Sequence, residues 1–207
     1  MALNIGFVLF DRLTQLDLTG PLQVLSRLEG AKCHLIARTR EPVKTDTVLD
    51  IVPTTTFSEC PQLDILCVPG GRGVAAAIGD AELVNFIRGQ GAVASWVTSV
   101  CTGSFLLGAA GLLDGRRATT HWAYKELLPL VGASPGGARV ICDENLITGG
   151  GVTAGIDFGL QVAAEVAGPG VAQAIQLALE YDPAPPFDSG NPKFAPGPVR
   201  ESLEPTF

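Results

Sequence analysis

The stretch Val97-Thr98-Ser99-Val100-Cys101-Thr102-Gly103-Ser104 constrains the fold more than any other part of the chain. A β-branched run that reads as a buried strand stops at a cysteine. A small-residue helical run, Phe105-Leu106-Leu107-Gly108-Ala109-Ala110, follows at once. This is the sulfur counterpart of the strand–turn–helix that lifts a nucleophile above a sheet. Gly103 removes a Cβ that would crowd the turn, and the sulfur comes to rest at a helix N-terminus, where unpaired N–H groups favour an anion. Cys101 is therefore the first candidate for a reactive thiolate. A fall of about two pK units would leave it mostly ionised at neutral pH.

Around this turn, strand-like and helical runs alternate, as expected of an α/β sheet with covered faces. Strands are predicted over 5–10, 34–37, 63–68 and 93–100, with short β segments at 48–52 and 117–120. Residues 139–142 and 145–148 read as a hairpin turning at Asp143-Glu144. Helices are predicted over 21–28, 81–88, 123–130, 153–167 and 171–180. Asp17 or Thr19 would cap the first of these, and Pro21 would lie in its first turn. Seven of the 15 prolines fall in the last 27 residues, which excludes regular helix or central strand there. The chain thus divides into one domain over 1–180 and a proline-rich arm over 181–207, packed on or beside it.

Composition narrows the function classes. Lys and Arg number 14 against 21 Asp and Glu, giving a net charge of −7 without a basic cluster, which argues against nucleic acid as a partner. No apolar run is long enough to span a membrane, and the start of the chain lacks the features of a signal peptide. The five cysteines (Cys33, Cys60, Cys67, Cys101 and Cys142) are odd in number, irregular in spacing and free of any C-x-x-C pair. That pattern argues against disulfides or structural zinc and points to a reducing cytoplasm, with the four cysteines other than Cys101 inert.

In open α/β sheets, ligands bind beyond the carboxyl ends of the strands. Four features fall on that edge: Asp17-Leu18-Thr19-Gly20, the Pro69-Gly70-Gly71 turn, Cys101, and the 149–152 loop. Asp17 is either a helix cap or an acid placed against the sulfur, in which case repulsion between two anions would leave one shared proton. Gly70, Gly71, Gly150 and Gly151 are either plain turn residues or, with Val152, backbone that approaches a substrate and stabilises negative charge. Thr102 is either a first-turn helix residue or a group facing substrate or water. His121 reads as a hydrogen-bonded structural histidine, or as half of a Cys–His dyad. Two histidines without a suitable acidic spacing leave no metal centre, and no glycine-rich run fits a nucleotide, so no cofactor is expected.

These residues resemble those of the DJ-1/PfpI superfamily, and most closely its bacterial isocyanide hydratase branch. The resemblance runs through Leu16-Asp17-Leu18-Thr19-Gly20-Pro21, Val68-Pro69-Gly70-Gly71, the Cys101 turn, Ala118-Thr119-Thr120-His121-Trp122-Ala123-Tyr124 and 146–158. It continues into Leu179-Glu180-Tyr181-Asp182-Pro183. What it implies is a flavodoxin-like α/β/α sandwich, a homodimer, Cys101 as nucleophile and Asp17 as supporting acid. It also implies conversion of an isocyanide to an N-substituted formamide through a cysteine thioimidate. Thr102 stands where the protease-like branch has histidine, and Asp17 where many DJ-1-type proteins have glutamate. The proline-rich end leaves no room for the helix-turn-helix pair of the regulators in the superfamily. Two other readings keep the same cysteine: glyoxalase-type hydration of 2-oxoaldehydes, which needs His121 at the site, and a non-enzymatic redox sensor.

Overall fold

Continuous apolar runs bounded by glycine or proline make strands buried on both faces, and they form the centre of this molecule. The computed structural model describes residues 2–203; Met1 and residues 204–207, including Pro205 of the arm, lie outside the described residues. The seven-stranded main sheet is built from β1 (Leu3–Val8), β2 (Ala31–Ala37), β5 (Thr55–Thr56), β6 (Ile65–Val68), β7 (Trp96–Val100), β10 (Val140–Asp143) and β11 (Leu146–Gly149). Its order is β10-β11-β7-β6-β1-β2-β5, and every neighbouring pair is parallel except β10–β11. This is the mostly parallel α/β sheet expected from the alternating runs. Two small sheets flank it, β3 (Val43–Lys44) with β4 (Asp50–Ile51) and β8 (Arg117–Ala118) with β9 (Ser134–Pro135).

Helices α1 (Gln15–Leu25), α2 (Val74–Ala77), α3 (Ala81–Gly91), α4 (Gly103–Ala109), α5 (Ala154–Ala167) and α6 (Pro169–Ala178) cover the faces. Residues Trp122–Val131 form a 3₁₀ segment rather than an α-helix, with Pro129 inside it. The core runs along both faces of the central strands, with Ile5, Phe7, Ile65, Leu66, Leu106 and Phe158 almost wholly buried. Helix α1 lies close on α5 because α5 offers glycines. A Cβ on Gly155 would come within 3.0 Å of Pro21, and one on Gly159 within 3.0 Å of Val24. That approach fixes the distance between the start of α1 and the loop that precedes α5.

Two further expectations change. Helix α1 begins well before Pro21, so Asp17 lies in its first turn and Pro21 in its interior. Neither Asp17 nor Thr19 caps it. Asp46, from the loop between β3 and β4, accepts from Thr14 Oγ1 at 2.7 Å and from the Gln15 amide at 3.4 Å. The arm also holds a helix, α7 (Gly197–Leu203), because Pro198 falls in a first turn where no N–H is required. Of the four cysteines read as inert, Cys67 is fully buried and Cys33, Cys60 and Cys142 are half-buried, and burial pushes all four thiols up.

Candidate active site

Cys101 follows the last residue of β7 with φ +56°, a left-handed conformation uncommon for a side-chain-bearing residue. The surrounding backbone holds it there. Its N–H donates to the carbonyls of Gly149 (3.1 Å) and Gly150 (3.0 Å). Its carbonyl accepts from Thr120 Oγ1 (2.9 Å) and Ser104 Oγ (3.3 Å). Gly103 is required at the next turn position but one, since a Cβ there would be driven into the carbonyls of Val68 and Pro69. The sulfur receives the backbone N–H groups of Val152 and Thr102 and touches the carboxyl of Asp17.

Asp17 is buried to 1% exposure. Its Oδ2 accepts from the Gly70 amide at 3.0 Å, its Oδ1 is buried with no hydrogen-bond partner among the described residues, and the carboxyl lies against the Cys101 thiol. Burial pushes this carboxyl up to about 7, with bonds from Cys101 and Gly70 pulling the other way. Burial, then the charge of Asp17, pushes the Cys101 thiol up to about 12. The helix N-terminus alone predicts a depressed thiol. The sulfur's two N–H donors are outweighed by desolvation, because Cys101 lies beneath the surface at 5% exposure.

Cys101, Thr102, Gly71, Val152, His121 and Tyr124 line a cleft of about 420 Å³, together with Thr14, Gln15, Leu16, Asp46, Thr47 and Arg72. Of the glycines singled out from sequence, only Gly71 lines the cleft. Gly70 stands behind it on Asp17, Gly150 accepts from the Cys101 amide, and Gly151 packs against the His121 ring. Thr102 turns its hydroxyl to the neighbouring loop, accepting from the Gly71 amide at 3.0 Å. Val152 has φ +34°, a strained conformation for a β-branched residue, and it is this turn that aims its amide at the sulfur. His121 reaches the cleft, but its Nδ1 accepts from the Ala123 amide at 3.4 Å and burial lowers its pKa. It is a neutral ring that caps the 3₁₀ segment.

Gln15, Asp46, Thr47 and Arg72 have no motif that would place them in a site from sequence. Tyr124 is the exception, since it sits in the same run as His121. The lining surface is mostly apolar, as a pocket receiving an organic group requires, with polar side chains such as Gln15, Asp46 and Arg72 among it. A larger cavity of about 730 Å³ beside Arg12, Arg38 and Lys44 shares only Arg72 with this cleft and contains no cysteine.

The DJ-1/PfpI family model matches residues 4–165. Isonitrile hydratase of Pseudomonas putida is 58% identical over 199 residues, covering 96% of this chain and 87% of that protein. The HTH-type transcriptional regulator GbdR of Pseudomonas aeruginosa is 30% identical over 190 residues, covering 86% of this chain but only 51% of the regulator. Among solved structures, a THiJ/PfpI family protein from Pseudomonas syringae superposes with a TM-score of 0.97 at 46% identity, over 100% of this chain and 86% of that one. A nearly complete sequence match, a whole-chain superposition and a cysteine held in a left-handed turn beside a buried acid agree: the chain belongs to the DJ-1/PfpI family.

Proposed function

We propose that this protein adds water to an organic isocyanide, R–NC, to give the N-substituted formamide, with Cys101 as nucleophile and Asp17 as proton carrier. The observation that carries the chemistry is the contact of a buried carboxyl with a buried thiol. The near-complete match to an isonitrile hydratase supports the substrate class. With the carboxyl pushed up to about 7 and the thiol up to about 12, the pair holds one proton between those values. In that range the proton rests mainly on sulfur, and its transfer to Asp17, favoured by the two backbone amides that face the sulfur, gives the reactive pair of thiolate and carboxylic acid.

The thiolate attacks the terminal isocyanide carbon while the Asp17 proton passes to that carbon, giving the thioimidate R–N=CH–S–Cys101. Water then adds to the same carbon. One of its protons goes to nitrogen and the other returns to Asp17. The tetrahedral adduct expels the thiolate and leaves R–NH–CHO. Atoms balance as isocyanide plus water, with no external reductant or oxidant. Sulfur suits this substrate because a soft anion adds readily to a carbon that water attacks slowly.

Incubation with p-nitrophenyl isocyanide and, separately, with methylglyoxal tests the reading. Formamide from the first, retained in His121→Ala, is the expected result. Lactate from the second, lost in His121→Ala, would instead support the glyoxalase reading that the presence of His121 in the cleft keeps open.

We further infer that the chain works as a homodimer, with 181–207 an arm on a single α/β domain and no role for nucleic acid. The exposed apolar side chains of Val48, Leu49 and Val52, around the hairpin that supplies Asp46, support this reading. Light scattering at about twice the 21.5 kDa chain mass is the check. The free thiols of Cys33, Cys60, Cys67, Cys101 and Cys142 suit a reducing compartment and support placing the enzyme in the cytoplasm. Among the described residues no helix is long and apolar enough to cross a membrane.

A further inference from the structure

We infer that Arg139, with Asp157 and Tyr181, is a positioning group that holds the Val152 amide on the Cys101 sulfur. The inference rests on the proposed role of Cys101. Arg139 lies just before β10, outside the cleft, yet it grips the 150–153 turn from both ends. Its carbonyl accepts from the Gly150 amide at 2.8 Å, and its Nη2 donates to Thr153 Oγ1 at 3.0 Å. Val152 lies between those two anchors. The guanidinium is itself located by Asp157 in the first turn of α5, with Nε 2.5 Å from Oδ2. The other oxygen, Oδ1, accepts from Tyr181 OH at 3.0 Å, which ties the beginning of the arm to the same point.

This arrangement matters because of what it surrounds. The Val152 turn is in a conformation that a β-branched residue leaves when unsupported. Its amide is one of two that donate to the sulfur. An ion pair as exposed as Arg139–Asp157, at 50% and 35%, contributes little to global stability. A planar guanidinium bonded to two side chains at once does, however, fix position, which a flexible lysine ammonium cannot reproduce. Loss of the brace should therefore show in the thiol and in turnover, and only weakly in melting.

The test replaces Arg139 with methionine in the full chain and follows three quantities. First, kcat for an aryl isocyanide should fall about tenfold with KM within about twofold. Second, the pH at which Cys101 is half-alkylated by iodoacetamide should rise by about one unit, since a charged sulfur loses a donor. The other groups near that sulfur are Asp17 on α1, His121 at the cap of the 3₁₀ segment, Tyr124 on it, and Asp46 and Arg72 in the cleft lining; all are unchanged in the variant. Third, Tm should fall by only a few degrees. Arg139→Lys should recover only part of kcat. Tyr181→Phe should move kcat and the alkylation profile in the same direction by a smaller amount.

A profile and kcat unmoved in Arg139→Met, or a loss of kcat that follows Tm alone, would overturn the inference. If Arg139→Met does not fold, Thr153→Val removes one anchor and is read by the same outcomes. Absence of formamide from the wild type, by contrast, would remove the proposed reaction. The alkylation profile still reads the brace in that case.

Discussion

Cys101→Ala is expected to release no formamide from an aryl isocyanide above the uncatalysed rate, while melting within about 4 °C of the wild type. Activity disappears because no other described group at the bottom of the cleft can make the bond to carbon. His121, the other candidate, has its Nδ1 committed to the Ala123 amide. Removing a nucleophile typically leaves only the residual effect of binding and charge stabilisation. The fold should tolerate the change. The turn is held through the amide and carbonyl of Cys101, not through its sulfur, by Gly149, Gly150, Thr120 and Ser104. Losing one buried sulfur atom costs on the order of 1 kcal/mol, a few degrees in a chain of this size. Circular dichroism melting and product chromatography on the same sample separate the two effects. Turnover at more than a few per cent of wild type would remove Cys101 from the reaction.

Asp17→Asn is expected to cut kcat by about 10²–10⁴-fold, the usual worth of a positioned proton donor, and to make the protein more stable at pH 8. The sign follows from the carboxyl's position, pushed from 3.8 up to about 7 by burial. A carboxyl raised in the folded state contributes stability that is full below its unfolded value and is lost as pH rises through the folded one. Above pH 7 the native protein must hold a buried negative charge on the pair. Asparagine has no proton to lose, and its side-chain oxygen can still accept from the Gly70 amide. Tm of the variant should therefore exceed that of the wild type by about 5 °C at pH 8 and by little or nothing at pH 4. A destabilised Asp17→Asn at pH 8 would show that the carboxylate is structural.

Much of this was legible in the chain, and for identifiable reasons. Strands such as Ile65–Val68 are short apolar runs ended by glycine or proline, so period and punctuation give them away. The Cys101 turn was legible because a cysteine set between a β-branched run and a small-residue helix fits few backbone paths besides a strand-to-helix elbow. Asp17 is legible as an acid on the correct edge, though local sequence alone starts the helix around it several residues late. The misplacement has one cause: α1 is capped by Asp46, 31 residues further along the chain from Gln15, and local sequence carries no trace of such a partner. Depth was also illegible. A helix N-terminus beside Cys101 suggests a lowered thiol, but only the packed structure reveals how far burial reverses that effect. Arg139 escaped notice because its function lies in bonds to Thr153 and Asp157, which the fold brings to it from a different element. The polar rim of the cleft escaped for the same reason.

The rate at which iodoacetamide labels Cys101 between pH 5 and 10, read by peptide mass mapping to separate it from the half-buried Cys33, Cys60 and Cys142, is the most direct probe of a proton shared between sulfur and carboxyl. In the wild type, labelling should show a first step near pH 7, where the pair loses its first proton and a fraction of it becomes thiolate beside carboxylic acid, well below the main rise of the thiol. In Asp17→Asn the step near pH 7 should be absent, leaving a single rise above about pH 9, where burial alone holds the thiol up. A wild-type thiol that stays unreactive until pH 9 and responds no differently when Asp17 is replaced would contradict the shared proton and the chemistry built on it.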